Sequence, residues 1–419
     1  MLDTVLILLA ALALLGVMFE EVLHVNKAKI TLFFGTLAWM LLFMSSSGPE
    51  QTEHINEGLL HNITEISTLW LFLVAAMTFV AYLNRKGLIA NMLNLVMPSQ
   101  ISLKKLMFIT ALFSFCFSSL ADNITATLVS IAMVLSLGLP LNQTLRFAVL
   151  VVFSVNSGGV SLITGDVTTL MIFMQHKVTI TQLFWLLVPS FLAVMLLATL
   201  LSTGMSGVVK IRKTQHDTSR IDYVIAGIFL ATILFTLILN VLFSIPPMLS
   251  FLAGMAIMFL VANSLGDDDD DDQDPILDYI RYIEFDTLLF FLGVLLLVGM
   301  LEHIEALHSL LYLYEMFPPT VANYIMGALS ALIDNVPLTA ALLKANITMT
   351  VSEWMLLTYA VGVGGSLLII GSAAGIVAMS KVQGLSFARY GKYFVLLLVA
   401  YSLGYALVYG VATYIMPVA

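Results

Sequence analysis

Charge is scarce in this chain. Of its 419 residues only 10% are Asp, Glu, Lys or Arg, against roughly a quarter in soluble proteins, while 60% are hydrophobic and the mean hydropathy is +1.02. That balance excludes a soluble domain and predicts an all-α polytopic membrane protein whose partner is the lipid bilayer. Period-2 alternation is missing from the apolar runs, which excludes an outer-membrane barrel. There is one cysteine, Cys116, so an internal disulfide and a cysteine-based metal centre are excluded. The zinc-protease signature His-Glu-x-x-His is absent. The Gly-x-Gly-Asp pattern of aspartyl intramembrane proteases fails at its first glycine, because Ile163 precedes Thr164-Gly165-Asp166. No enzyme activity and no cofactor are expected.

What is present are apolar runs of about 17–25 residues, the length that crosses a bilayer. The first half supplies residues 2–20, 30–44, 66–83, 145–174 and 183–203; the second supplies 223–243, 247–262, 285–300, 354–379 and 393–411. The run 2–20 lacks a basic leader and a small-x-small cleavage site, so it is expected to remain as a span. Each half also carries one shorter insertion, at 106–137 and 320–343. The expected organisation is a first repeat (1–205), a cytoplasmic linker (206–222) with Arg212, Lys213 and Arg220, and a second repeat (223–419). Each repeat has five transmembrane helices, one of them interrupted, plus one re-entrant hairpin. An odd number of crossings per half makes the repeats inverted.

Loop charges test that topology. With both termini outside, the inner loops receive all of the 17 basic residues except Lys177 and Lys344, the bias expected of cytoplasmic loops. A bacterial cytoplasmic (inner) membrane is the expected location. Outer loops would hold Glu50, Glu53, His54, Glu57 and His61, then Glu302, His303, Glu305 and His308, read as solvated faces, with cation funnelling or pH sensing as the alternative. The aspartates 267–272 form a solvated acidic run in an inner loop. They inflate the net charge of −9, which therefore identifies no partner; nucleic acid is not expected.

The insertions carry the chemistry. Ser118-Ser119-Leu120-Ala121-Asp122-Asn123-Ile124-Thr125-Ala126-Thr127 returns as Ser330-Ala331-Leu332-Ile333-Asp334-Asn335-Val336-Pro337-Leu338-Thr339. Fifteen residues of helix from Leu106 reach only about 22 Å, so the polar residues fall where the chain turns back. Pro337 suits the first turn of a restarted helix. An ionised carboxylate at mid-membrane costs at least about 2.5–3.5 kcal/mol. Asp122 and Asp334 must then be protonated, cation-bound or wet, and a proton and a hard cation competing for one oxygen site make an exchanger. Ser118 and Ser330 lie four residues before each Asp, on the same helical face. Helix capping is the plainer role for both carboxylates, but a serine would serve it without a buried charge.

The interrupted spans form the other wall. Asn156-Ser157-Gly158-Gly159-Val160-Ser161-Leu162-Ile163-Thr164-Gly165-Asp166 aligns without a gap with Gly362-Val363-Gly364-Gly365-Ser366-Leu367-Leu368-Ile369-Ile370-Gly371-Ser372. Unwound backbone at membrane depth is tolerated where it lines a cavity. Close packing of small residues explains the glycines but not Asn156 or Asp166. Asp166 aligns with Ser372 and Thr164 with Ile370, so the first-half site is the more polar and is expected to be the main cation site.

Two polar hairpin tips followed by Gly-Gly-interrupted helices resemble the ion transporter superfamily of sodium-coupled dicarboxylate and arsenite carriers. Ser-x-x-x-Asp-Asn-x-x-x-Thr and the break ending in Asp166 resemble its NhaD-type sodium/proton antiporters. The resemblance implies cation ligands at Ser118, Asp122, Asn123 and the 156–159 stretch (Asn156, Ser157, Gly158), and at Ser330, Asp334, Asn335 and the 362–365 stretch with Gly364. It implies transported sodium, with lithium as a second candidate, and protons, moved by an elevator motion against a dimeric scaffold. Asp122, Asp334 and Asp166 would exchange protons; Thr125, Thr127, Thr164 and Thr339 are further polar neighbours. In the dicarboxylate carriers the tips read Ser-Asn-Thr. Here Asp replaces that Ser, and Ile124 or Val336 replaces that Thr, a departure that suits a cation rather than a dicarboxylate. A sodium-coupled anion symporter of the same superfamily is the alternative.

Overall fold

The computed structural model describes residues 2–19, 25–88, 91, 98, 100–210, 218–265, 281, 283, 285–307, 311–345 and 347–415. The aspartates 267–272, His308 and the linker residues 211–217, with Arg212 and Lys213, lie outside them. The described chain is mostly helical. Its helices are α1 (Leu2–Met18), α2 (Lys27–Met44), α3 (Pro49–Arg85), α4 (Leu103–Leu120), α5 (Asn123–Ser136), α6 (Leu141–Gly159), α7 (Val167–Met174), α8 (Ile180–Phe184), α9 (Leu187–Ser202), α10 (Arg220–Phe243) and α11 (Pro247–Leu265). They continue with α12 (Phe285–His303), α13 (Leu311–Met316), α14 (Pro319–Leu329), α15 (Asn335–Lys344), α16 (Val351–Gly364), α17 (Ala373–Lys381), α18 (Phe387–Gly391) and α19 (Phe394–Gly410). Seven helical segments among the described residues are long and apolar enough to cross a membrane.

Most boundaries follow from capping chemistry, in which a side-chain oxygen satisfies amides that the first helical turn leaves free. Ser102 caps α4 and Ser372 caps α17. Thr179 with Gln182, Ser219 with Asp222, and Thr350 with Glu353 form capping boxes at α8, α10 and α16. Pro319 opens α14 at its first position.

One boundary departs from the sequence reading. The segment with Glu50, Glu53, His54, Glu57 and His61, expected as an outer loop, is the first third of the 37-residue α3. Pro49 starts that helix with Glu50 in its first turn, a favourable placement at the positive end of the dipole. Polarity alone does not stop a helix, and after Pro49 the segment contains no further proline.

The contacts divide the chain into two compact units. The smaller comprises residues 65–101 and 208–288. Within it α10 packs on α11, and Phe72 meets Phe251 while Phe79 meets Phe229, with ring centroids 4.6 and 5.2 Å apart. Tyr82 donates to Asp222 Oδ1 at 2.6 Å, and Lys86 pairs with the same carboxylate at 3.9 Å. The strands β1 (Gln100–Ser102) and β2 (Val208–Lys210) form a two-stranded sheet.

The larger unit, residues 1–64, 102–207 and 289–419, holds both hairpins and both interrupted helices. Helix α4 lies on α6 and α14 on α16. The glycine pairs of the breaks permit this. A Cβ on Gly158 would run into the Phe115 carbonyl, and one on Gly364 into the Gly327 carbonyl, so the backbones touch where any side chain would separate them. The short half-helices then cross over: α5 of the first hairpin packs on α17, and α15 of the second packs on α7.

Candidate functional site

Four half-helices begin where the two hairpins and the two interrupted helices break, and each begins with an acidic or hydroxyl cap. Asp122 accepts from the amides of Ile124 (3.0 Å) and Thr125 (2.9 Å), Asp166 from Thr168 (3.0 Å), Asp334 from Val336 (3.2 Å), and Ser372 from Gly375 (3.3 Å). Capping is therefore a real role of all three carboxylates. It does not exhaust two of them.

Asp166 is 5% exposed. Its Oδ2 accepts from Asn335 Nδ2 of the other half at 3.4 Å, and the Asn123 carboxamide also reaches it. Asn123 Nδ2 lies 3.5 Å from Asn156 Oδ1, and Asn156 Nδ2 donates to Ser372 Oγ at 2.9 Å. Ser118 Oγ lies 2.8 Å from Asn123 Oδ1 and 2.7 Å from the Val155 carbonyl. One hydroxyl proton serves two acceptors there, which leaves lone pairs on Asn123 Oδ1. The cluster thus brings together Ser118, Asn123, Asn156, Asp166 and Asn335 of the expected site, and adds Ser372. The contacts at 3.4 and 3.5 Å are at the long end of hydrogen bonding, so the oxygens are arranged without being saturated.

The second half repeats part of this geometry. Ser330 donates to the Val361 carbonyl at 2.8 Å as Ser118 does to Val155. Thr127 and Thr339 each donate, at 2.7 Å, to the carbonyl of the hairpin asparagine four residues back, Asn123 and Asn335. Thr164 donates to the Ser119 carbonyl at 2.8 Å and ties the break to the hairpin. Ser157 is fully buried, and its hydroxyl, like that of Ser161, has no hydrogen-bond partner among the described residues. Gly158 and Gly364 serve the close approach of the backbones.

Asp122 stands apart. Its Oδ2 takes the Thr125 hydroxyl at 2.7 Å, so three donors from its own helix satisfy it. Asp334 is 6% exposed and pairs with Lys27, in sequence terms an inner-loop charge, at 3.1 Å. Two residues of this cluster are not marked in the sequence: Ser372 stands there only as the counterpart of Asp166, and Lys27 carries no motif. The signal for Ser372 lay in the crossed packing of the half-helices, which alignment of the halves does not reveal.

The donor set is chemically coherent. Buried carboxylate and carboxamide oxygens, hydroxyls, and carbonyls at interrupted helix ends are hard ligands for a hard cation. Among the described residues no group of three or more His, Cys, Asp or Glu is placed to hold a metal ion. The cluster is mostly neutral oxygens with one carboxylate.

A family model described as citrate transporter matches residues 4–362. The Na(+)/H(+) antiporter NhaD of Alkalimonas amylolytica is 31% identical over 88% of this chain and 82% of its own length. NhaD of Vibrio cholerae serotype O1 is 30% identical over 90% and 85%. Among solved structures, the YdaH transporter of Alcanivorax borkumensis superposes with a TM-score of 0.56 at 15% identity, covering 88% of this chain and 90% of that one; that likeness concerns the fold alone.

Proposed function

Because the chain belongs to the family described as citrate transporter, and within its relatives to the NhaD-type sodium/proton antiporters, we propose that it exchanges sodium ions for protons across a membrane. The observation that carries this reading is Asp166, a nearly buried carboxylate accepting from the Asn335 carboxamide of the opposite half. A carboxylate in that setting is stable only with a proton, a cation or a tethered charge beside it. Alternation between the first two couples the ions: sodium enters as the proton leaves, and each carboxylate exposed on the far side reverses the trade.

In this reading Asp166 is the principal exchanging group, with Asp334 and Asp122 as further carboxylates. Asn123, Asn156, Asn335, Ser118, Ser157 and Ser330 are neutral ligands or orienters, and carbonyls near Gly158 and Gly364 complete the shell. Lithium, a smaller and harder cation of the same charge, is the second candidate cargo. The two halves are inverted repeats, divided at residues 206–222, with both termini outside a bacterial inner membrane. The crossed packing of α5 on α17 and α15 on α7 supports hairpins and interrupted helices moving together as an elevator, on a scaffold that pairs two copies.

The test is sodium-induced proton movement in everted membrane vesicles at neutral and alkaline pH, wild type beside Asp166→Asn and Asp334→Asn. Exchange in wild type that either substitution abolishes, with protein still inserted, supports the reading. A wild type in which sodium moves no protons at either pH overturns it.

A further inference from the structure

The two hairpin tips differ at the position three residues after the aspartate, and that difference bears on Lys27. Thr125 stands three residues after Asp122 and gives it two donors, the amide at 2.9 Å and the hydroxyl at 2.7 Å. The residue three after Asp334 is Pro337, which has neither an N–H nor a hydroxyl. Among the described residues Asp334 Oδ1 accepts from the Val336 amide, and Oδ2 has no neutral donor. The Lys27 ammonium occupies that oxygen, 3.1 Å away, and lies 4.2 Å from the centre of the Phe290 ring.

Lys27 is held there against its local preference. It is the first residue of α2, capped by Asn26, and a helix N-terminus repels a cation. Its backbone cannot relax away, because α2 is clamped on α12. A Cβ on Gly35 would meet the Gly293 carbonyl at 2.7 Å, and Trp39 Nε1 donates to the Leu296 carbonyl at 2.9 Å. The ammonium is thus a fixed cation delivered from a clamped helix pair to the tip of a hairpin.

We propose that Lys27 is a tethered competitor for the cation site at Asp334: sodium binds that carboxylate only as the Lys27 ammonium leaves it. The inference rests on the exchange reading above and names a residue that sets its sodium affinity. The ion pair and the sodium complex use the same Oδ2, so they exclude one another. Any fraction of protein held in the ion pair lowers the apparent sodium affinity by that fraction. Pairing also spares a bare buried carboxylate after sodium departs, so the same contact favours release.

Two measurements test this. In proteoliposomes at alkaline pH, Lys27→Gln is expected to lower the sodium KM by about tenfold if one molecule in ten is open in wild type, without raising the maximum rate; Lys27→Arg restores a KM near that of wild type. In purified wild type, saturating sodium chloride, compared with choline chloride at equal ionic strength, is expected to raise modification of the Lys27 amine by an amine-reactive ester several-fold, read by peptide mass spectrometry. The second measurement needs no variant to fold. A Lys27→Gln protein that folds with an unchanged or raised KM, or Lys27 labelling indifferent to sodium, overturns the proposal. Wild-type exchange with sodium-indifferent labelling sinks this inference alone. Sodium-dependent labelling without exchange sinks the transport reading and leaves the competition standing.

Discussion

Asn335 Nδ2 lies 3.4 Å from Asp166 Oδ2, although 169 residues separate the two in the chain. The asparagine of the second hairpin therefore completes the carboxylate of the first interrupted helix, and neither half has this site by itself. Asp166→Asn keeps the size and the cap, since Asn caps as well as Asp, but removes the charge. It is expected to reduce sodium-coupled proton movement to background while leaving the thermal midpoint near that of wild type. Exchange at the wild-type rate in that variant would remove Asp166 from the ion path.

The crossed network makes a second prediction. Asn156 donates to Ser372 at 2.9 Å inside a fully buried pair, and a neutral hydrogen bond contributes about 1 kcal/mol net. Asn156→Ala is expected to raise the sodium KM about fivefold, the equivalent of about 1 kcal/mol. Combined with Ser372→Ala, the losses should fall short of additive, because each substitution removes the same bond. Strict additivity in the double-mutant cycle would mean that the two side chains act independently.

Asp122 separates capping from ion chemistry. Its three donors all come from Ile124 and Thr125 of its own helix. Asp122→Ala is expected to destabilise the protein by about 1 kcal/mol through the lost cap, and Asp122→Asn by much less, in thermal unfolding of the purified protein. Exchange in Asp122→Asn should fall less than in Asp166→Asn. Equal losses would place Asp122 on the ion path as firmly as Asp166.

Both breaks were legible because polar residues inside lipid-grade runs have few structural excuses. Asp122 and Asp334 start helices, and the glycine pairs at 158–159 and 364–365 end or flank the interrupted ones. The pairing of the halves at Asn335 and Asp166 was not legible. Alignment of repeats says which residues are equivalent, and it is the non-equivalent ones that meet, as α15 crosses to α7 and α17 to α5. Lys27 escaped for a related reason: loop charge reports the side of the membrane and says nothing of a partner 307 residues away. The polar start of α3 was misplaced because Glu and His between residues 50 and 61 suggest water, which is compatible with a helix that projects beyond the apolar run.

The glycines of the breaks predict stability rather than transport. In α6, Gly158 lets the helix touch the backbone of α4 at Phe115, and in α16, Gly364 does the same against α14 at Gly327. Neither neighbour is a side chain that can swing aside, so even one added methyl must push two backbones apart. Overpacking of this kind costs about 1–3 kcal/mol, and Gly158→Val adds two more carbons than Gly158→Ala. Both substitutions are expected to lower the thermal midpoint and the yield of inserted protein, valine more than alanine, with Gly364 behaving in parallel. Gly227 in α10 is the control: nothing lies within 4 Å of a Cβ built there, and a helical Gly→Ala change removes backbone entropy worth roughly 0.5–1 kcal/mol. Gly227→Ala should leave the midpoint unchanged or raise it. If Gly158→Ala were as well tolerated as Gly227→Ala, the close crossing of α4 and α6 would be wrong, and with it the placement of Ser118 beside the Val155 carbonyl.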